Sequence, residues 1–297
     1  MMFTGILGVF LCFFSSMILT NDVSLVTFVP LSVTMLTLAG LQDRLLTVVV
    51  LQTVAANLGS MLTPIGNPQN LYLYAVSGMD AGTFFALMLP LTAVSGLLLA
   101  VCCLVQKPVP ISLEAHEPAR GPASRRERVE LAFFWMLLVL CLLTVFRVLP
   151  WGVPLAVALA GTLILDRRVL GQVDYGLLLT FVAFFVLIGN LGRMETVRGL
   201  LSRVLEGREL ITAFLCSQVV SNVPTAVLLA GFTDQWEALL KGTNIGGLGT
   251  LIASMASLIS YKLFVRARPE ETGKYLLCFT VVNLVFAVLL LAVGFLL

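Results

Sequence analysis

The sequence predicts an all-α polytopic membrane protein, built as inverted repeats with two re-entrant hairpins and two broken transmembrane helices. Three observations carry this. Hydrophobic residues fill 59% of the 297 positions and charged residues only 11%, with a mean hydropathy of +1.03. A soluble domain carries about a quarter charged residues, so this chain has too little polar surface to cover a soluble particle. Several apolar runs approach the roughly 20 residues that cross a bilayer. A pair of polar motifs interrupts two such runs and recurs, in the same order, later in the chain.

The first run, 3–36, is broken by a polar tip, Thr20, Asn21 and Asp22, in TNDVSLVTFVPL. It lacks the basic n-region of a cleaved leader, and its tip recurs downstream. With roughly 10–14 apolar residues on either side, too few for a crossing, it reads as a re-entrant hairpin. The second run, 45–78, is interrupted by ANLGSMLTPIGNPQN, where Gly59, Pro64, Gly66 and Pro68 forbid a continuous helix. A clean span follows at 84–106.

The polar stretch 106–130 holds Lys107, Arg120, Arg125, Arg126 and Arg128 with four prolines. It reads as an irregular linker, cytoplasmic by its basic residues, separating a first repeat (1–105) from a second (131–297). Spans follow at 129–149, 153–166 and 175–191. Counting from the linker places the basic loops 166–174 and 266–274 inside as well. The stretch 191–209 has an apolar stripe of Met194, Val197, Leu201 and Val204, as in a helix lying in the interface. The count puts it outside despite its arginines. The second hairpin occupies 210–232, the second break lies within 244–265, and a last span covers 275–297.

The repeat aligns SMILTNDVSLVTFVPL (16–31) with SQVVSNVPTAVLLAGF (217–232), matching Thr20 to Ser221, Asn21 to Asn222 and Ser24 to Thr225. It then aligns ANLGSMLTPIGNPQN (56–70) with TNIGGLGTLIASMAS (243–257), matching Asn57 to Asn244, Gly59 to Gly246 and Thr63 to Thr250. The span count enters the two copies from opposite faces, the inverted arrangement of many secondary transporters.

Irregular backbone at membrane depth is tolerated where it lines a cavity or is covered by protein. N–H groups at the start of a half-helix favour an anion. Freed carbonyls and the side-chain oxygens of Asn57, Thr63 and Asn67 suit a small hard cation. Gly246, Gly247 and Gly249 loosen the second break beside Thr250 and Ser254. An acid at membrane depth is a functional candidate, which singles out Asp22; the plainer reading is that it caps a half-helix. Its match in the second copy is the apolar Val223.

Net charge is +2, so no nucleic-acid footprint is visible; the bilayer is the expected partner. The six cysteines all lie in apolar runs and read as small buried hydrophobes. The one histidine, His116, falls in the polar linker, so no histidine-based metal or catalytic site is expected. An intramembrane enzyme would need a Ser–His or paired-Asp arrangement. Asp22 has no obvious acidic partner, so the chain is not read as an enzyme.

At TNDVSLVTFVPL, ANLGSMLTPIGNPQN, SNVPTAVLLAGF and TNIGGLGTLIAS the chain resembles the ion-transporter superfamily, which includes divalent-anion:sodium symporters, citrate transporters and arsenite-permease-type proteins. The tips look more like the permease branch; the dicarboxylate symporters favour Ser-Asn-Thr, where this chain has Asp22 and Val223. The resemblance implies a scaffold part, an elevator-like transport part and a homodimer in a bacterial cytoplasmic (inner) membrane. It implies one half-site from Thr20, Asn21, Asp22 and the 57–67 break (Asn57, Gly59, Thr63, Gly66, Asn67). The other comes from Ser221, Asn222, Thr225 and the 244–254 break (Asn244, Gly246, Gly247, Thr250). Na⁺ is expected at Asn21 and Asn57 and at Asn222 and Asn244, with the substrate between. No cofactor is expected beyond Na⁺ or H⁺ as coupling ion. Since a span and an interfacial helix precede the second hairpin, the first repeat is expected to lack its amino-terminal spans. The function expected is secondary transport of a small anion or oxyanion, with Na⁺/H⁺ antiport or arsenite efflux as alternatives.

Overall fold

In the computed structural model, residues 3–106, 124–165, 167–173, 175–191 and 193–297 are described. Those residues form helices and no strands. His116, Lys107 and Arg120 fall outside them. In chain order the helices are α1 (Phe3–Ser15), α2 (Asn21–Leu38), α3 (Leu45–Gly59), α4 (Pro68–Ser77), α5 (Ala81–Leu104), α6 (Arg125–Val145), α7 (Gly152–Leu165), α8 (Tyr175–Leu191), α9 (Glu195–Leu205), α10 (Glu209–Val220), α11 (Asn222–Leu229), α12 (Trp236–Ile245), α13 (Met255–Ala267) and α14 (Thr272–Leu296). Helices α2, α5, α6 and α14, and α3 with its flanking turns, are long and apolar enough to cross a membrane. This is an integral membrane protein.

The chain divides into two units, residues 1–113 with 184–297 and residues 114–183. In the smaller, α6 opens on a capping box, Ser124 and Glu127 each satisfying the other's backbone N–H. It packs on α7, where a Cβ at Gly161 would lie 2.1 Å from the Phe133 ring. In the larger unit α3 is the core: Val49, Val50, Val54, Ala55 and Leu58 are fully buried. Gln52 ties it to both arms of the first hairpin, its Nε2 donating to Gly8 O (3.2 Å) and Ser32 Oγ (2.9 Å).

The packing pairs off along the sequence repeat. Helix α1 packs on α3, and α10 on α12; α2 packs on α13, and α11 on α4. Both within-copy contacts are backbone-close. A Cβ at Gly59 would sit 2.0 Å from Phe13 O, and one at Gly242 would sit 2.5 Å from Leu210 O.

Three boundaries differ from the sequence reading. The linker read as irregular to 130 ends at the Ser124 cap, and 125–130 are the first turns of α6, because the capping box starts the helix before the apolar run. Helix α2 runs 18 residues, longer than a 10–14-residue arm. Pro30 removes one ladder hydrogen bond but does not end the apolar run, which stops at Gly40 with φ +67°. Helix α12 begins at Trp236, eight residues before the run starting at 244, because Glu237 and Lys241 hide its helical period.

Between α4 and α5, Asp80 caps α5 by accepting from Thr83 N (3.0 Å) and Thr83 Oγ1 (2.5 Å). These bonds hold its carboxyl below the usual carboxylate range. A depressed folded pKa adds stability that is present above the unfolded value and lost as pH falls through the folded one. Thermal midpoints of Asp80→Asn and the parent should therefore converge below about pH 4; a constant gap across pH would contradict this.

Candidate functional site

Each hairpin turns beside the break of its own copy. In the first, Thr20 caps α2, its Oγ1 accepting from Val23 N at 3.3 Å. The Asn21 backbone N–H then donates to Gly66 O at 3.1 Å. In the second, the Asn222 N–H donates to Ala253 O at 2.9 Å. The aligned register pairs Gly66 with Ala253, so these are one bond made twice. Thr63 Oγ1 donates to Met17 O (2.6 Å) and Thr250 Oγ1 to Gln218 O (3.0 Å), again at matched positions. The glycines let the elements approach. A Cβ at Gly59 would lie 2.5 Å from Ser16 Oγ, one at Gly246 2.5 Å from Ser217 Oγ, and one at Gly247 2.9 Å from Asn222 Nδ2.

Between the copies lies a buried amide and hydroxyl cluster. Asn57 Oδ1 accepts from Asn21 Nδ2 (3.2 Å) and from Ser254 Oγ (2.9 Å). Asn244 Oδ1 accepts from Asn67 Nδ2 at 3.1 Å. Since Asn57 aligns with Asn244 and Asn67 with Ser254, the two cross-copy bonds are also a matched pair. A fourth pair follows: Asn57 Nδ2 donates to Ser257 Oγ (3.4 Å) and Asn244 Nδ2 to Asn70 Oδ1 (2.6 Å). Asn21, Asn57, Asn67, Asn70, Asn222, Asn244, Ser254 and Ser257 are each at most 5% exposed. Buried polar groups of this density are tolerated only when bonded to one another.

Four helices begin at or beside this cluster: α2 after Thr20, α4 after Asn67, α11 after Ser221 and α13 after Ser254. Asn67 caps α4 through Asn70 N at 2.9 Å. Ser221 and Ser254 make no side-chain cap; with the Asn222 N–H taken by Ala253 O and Pro224 lacking one, the N–H groups of Val223 in α11 and of Met255 and Ala256 in α13 are left without an intrahelical partner. The positive ends of the four helix dipoles meet there.

Asp22 is not the cap: Thr20 holds that position, and Asp22 Oδ1 is buried with no hydrogen-bond partner among the described residues. Thr225 Oγ1, fully buried in the first turn of α11, also has none. Thr63 and Thr250 brace the hairpins rather than join the cluster. Asn222 reaches it through backbone.

Asn70, Ser60, Ser257 and Gln218 were not singled out from the sequence. Asn70 Nδ2 collects Ser60 O, Met61 O and Thr63 O (3.3, 3.2 and 3.0 Å), organising the first break. Gln218 does this for the second, Nε2 donating to Gly246 O (3.1 Å) and Leu248 O (2.9 Å). The aligned stretches end on Asn70 opposite Ser257, a match that was the available signal for both. The polar seam continues along α3 and α13, with Thr53 Oγ1 donating to Ser260 Oγ at 2.6 Å.

Ser221 has φ +76° and ψ 153°, a region open essentially to glycine at a cost of about 1–3 kcal/mol. Ser221→Gly should raise the thermal midpoint by a few degrees, as about 1 kcal/mol does for a protein of this size, while lowering activity. An unchanged midpoint would show that the conformation stores no strain.

The chain matches the family model described as citrate transporter over residues 4–236. It is 35% identical over 254 residues to the inner membrane protein YbiR of Escherichia coli (strain K12). That alignment covers 84% of this chain and 66% of YbiR, so the chain spans just under two thirds of that relative's length. It is 33% identical over 285 residues to the uncharacterized transporter MJ0456 of Methanocaldococcus jannaschii, covering 96% of this chain and 77% of that one.

Proposed function

This chain belongs to the citrate transporter family, and from that premise we propose that it is a secondary active transporter of a small anion, coupled to Na⁺ or H⁺. One observation supports the reading most: four helix starts converge on a closed cluster of neutral amides and hydroxyls. Open N–H groups and aligned dipoles attract an anion without a fixed positive charge that would hold it too tightly to release. The amide oxygens of Asn21 and Asn57, and of Asn222 and Asn244, offer neutral ligands to a hard cation.

The matched hydrogen bonds support reading the two copies as inverted repeats, whose interchange of roles would open the site to each face in turn. The arms α10 and α11, of 12 and 8 residues, are too short to cross a bilayer and support a re-entrant hairpin. The α1–α2 hairpin is its counterpart, with α2 prolonged. An elevator-like movement, a homodimer, an inner-membrane location and a cytoplasmic linker complete the proposal.

Among the described residues Asp22 is the one acid at the cluster's edge, and its unpartnered Oδ1 supports a role in cation coupling. Asp22→Asn should leave anion binding intact but uncouple uptake from the imposed cation gradient. A variant that still concentrates anion against a gradient would remove Asp22 from the coupling role.

Ligand-dependent thermal unfolding tests the reading itself. A carboxylate or oxyanion that binds only the folded state stabilises it, by about 2.7 kcal/mol at 100 times its Kd. Citrate, succinate, phosphate and arsenate should be compared with arsenite and with NaCl. Stabilisation by an anion is expected. Stabilisation by arsenite alone would favour metalloid efflux instead.

A further inference from the structure

Apart from the amide cluster, a cavity of the larger unit has two largely buried ionisable residues in its wall. It measures 580 Å³ and lies among the first turns of α10 and α12 and the end of α14. Lys241 and Glu209 line it, 6% and 8% exposed. Among the described residues neither takes part in a salt bridge. A buried charge is costly unless it is paired. Arg208 and Gln235, which precede α10 and α12, supply no side-chain cap, so first-turn N–H groups of both helices are without an intrahelical partner. Glu209 and Glu237 lie in those first turns and complement the two helix dipoles, the ordinary place for an acid. Lys241 sits mid-helix, where no dipole compensates it.

We propose that this cavity is a second binding site, for a small carboxylate-bearing anion, with Lys241 as its fixed counter-charge. The inference rests on the anion reading given above. The volume falls within the roughly 300–1,000 Å³ of small-molecule sites. The Trp236 N–H is taken by Asp234 O, so the remaining first-turn N–H groups of α10 and α12 supply donors, and Trp236 forms part of the wall. Lys241 stands one helical turn before Asn244 on α12. An anion held at Lys241 is therefore poised beside the amide cluster, in a capture site that precedes the transport site. Arg208, Asp234 and Glu237 also line the cavity.

The test reads Trp236 directly. The chain has three tryptophans, Trp135, Trp151 and Trp236, so Trp135→Phe with Trp151→Phe leaves a single reporter. Citrate and succinate are titrated in turn into that purified, monodisperse protein. A saturable change in Trp236 emission is expected with at least one of them. Affinity should fall at least tenfold in Lys241→Met and stay within about threefold in Lys241→Arg, which guards against a folding defect. Asn57→Ala should keep the Trp236 response while losing uptake. No saturable response to either anion, or equal affinity in Lys241→Met, overturns the proposal. Uptake without a Trp236 response would sink this site alone; a response without uptake would sink the transport reading alone.

Discussion

Replacing Asn57 with alanine should lower the rate of anion uptake about 100-fold. Its Oδ1 is the acceptor for Asn21 Nδ2 and Ser254 Oγ, and its Nδ2 donates to Ser257 Oγ. Asn57 is 5% exposed, so alanine strands two donors where water cannot readily replace the acceptor. Orphaned buried groups cost about 1–3 kcal/mol each, and about 1.4 kcal/mol is a factor of ten. Asn244→Ala should lower it about tenfold, because Asn244 Oδ1 accepts from the single donor Asn67 Nδ2 in the matched position. Initial uptake per reconstituted protein is the measurement, with monodispersity as the folding control. Large loss in one variant and none in the other would show that the copies do not share the site.

The second large effect is on stability. Gly66→Ala should cost about 3 kcal/mol, the upper part of the usual range for overpacking, or roughly 6–12 °C in Tm. Its Cβ would fall 2.0 Å from Ser60 O and 2.8 Å from Ser60 C and Cα, all backbone, so no rotamer change relieves the clash. The Gly66 carbonyl is also the acceptor that holds the first hairpin through Asn21 N. Gly273→Ala is the control: nothing lies within 4 Å of its Cβ, and Tm should hold or rise slightly because alanine is the better helix former. Equal midpoints for the two variants would mean that the first break is looser than its geometry.

Both effects fall on features that were legible in the sequence to different degrees. The breaks were readable because glycine and proline act locally: Gly59, Pro64, Gly66 and Pro68 stop α3 whatever surrounds them. Asn21, Asn57, Asn222 and Asn244 were readable because an amide in an apolar run is conspicuous and each had a twin. Ser254, Ser257 and Asn70 were harder. Serines are common in membrane helices, where they mediate packing, and these three gain meaning only from partners about 170 to 200 residues away. Helix α12 was misplaced because Lys241 and Glu237 interrupt its apolar period, and the burial of Lys241 depends on α10 and α14. Asp22 was legible as an anomaly, but its unpartnered oxygen was not, since capping by Thr20 or by Asp22 fits the same string. The length of α2 could not be read from Pro30, which bends some helices and ends others.

The central claim is that the two matched half-sites carry an anion across the bilayer at the expense of a cation gradient. Proteoliposomes loaded with buffer alone, given an inward Na⁺ or H⁺ gradient and a radiolabelled anion, test it most directly. Transient accumulation above the equilibrium level, abolished by an ionophore that collapses the gradient and by Asn57→Ala and Asn244→Ala alike, is the predicted result. Uptake that never exceeds equilibrium, or accumulation undiminished in both variants, would contradict it.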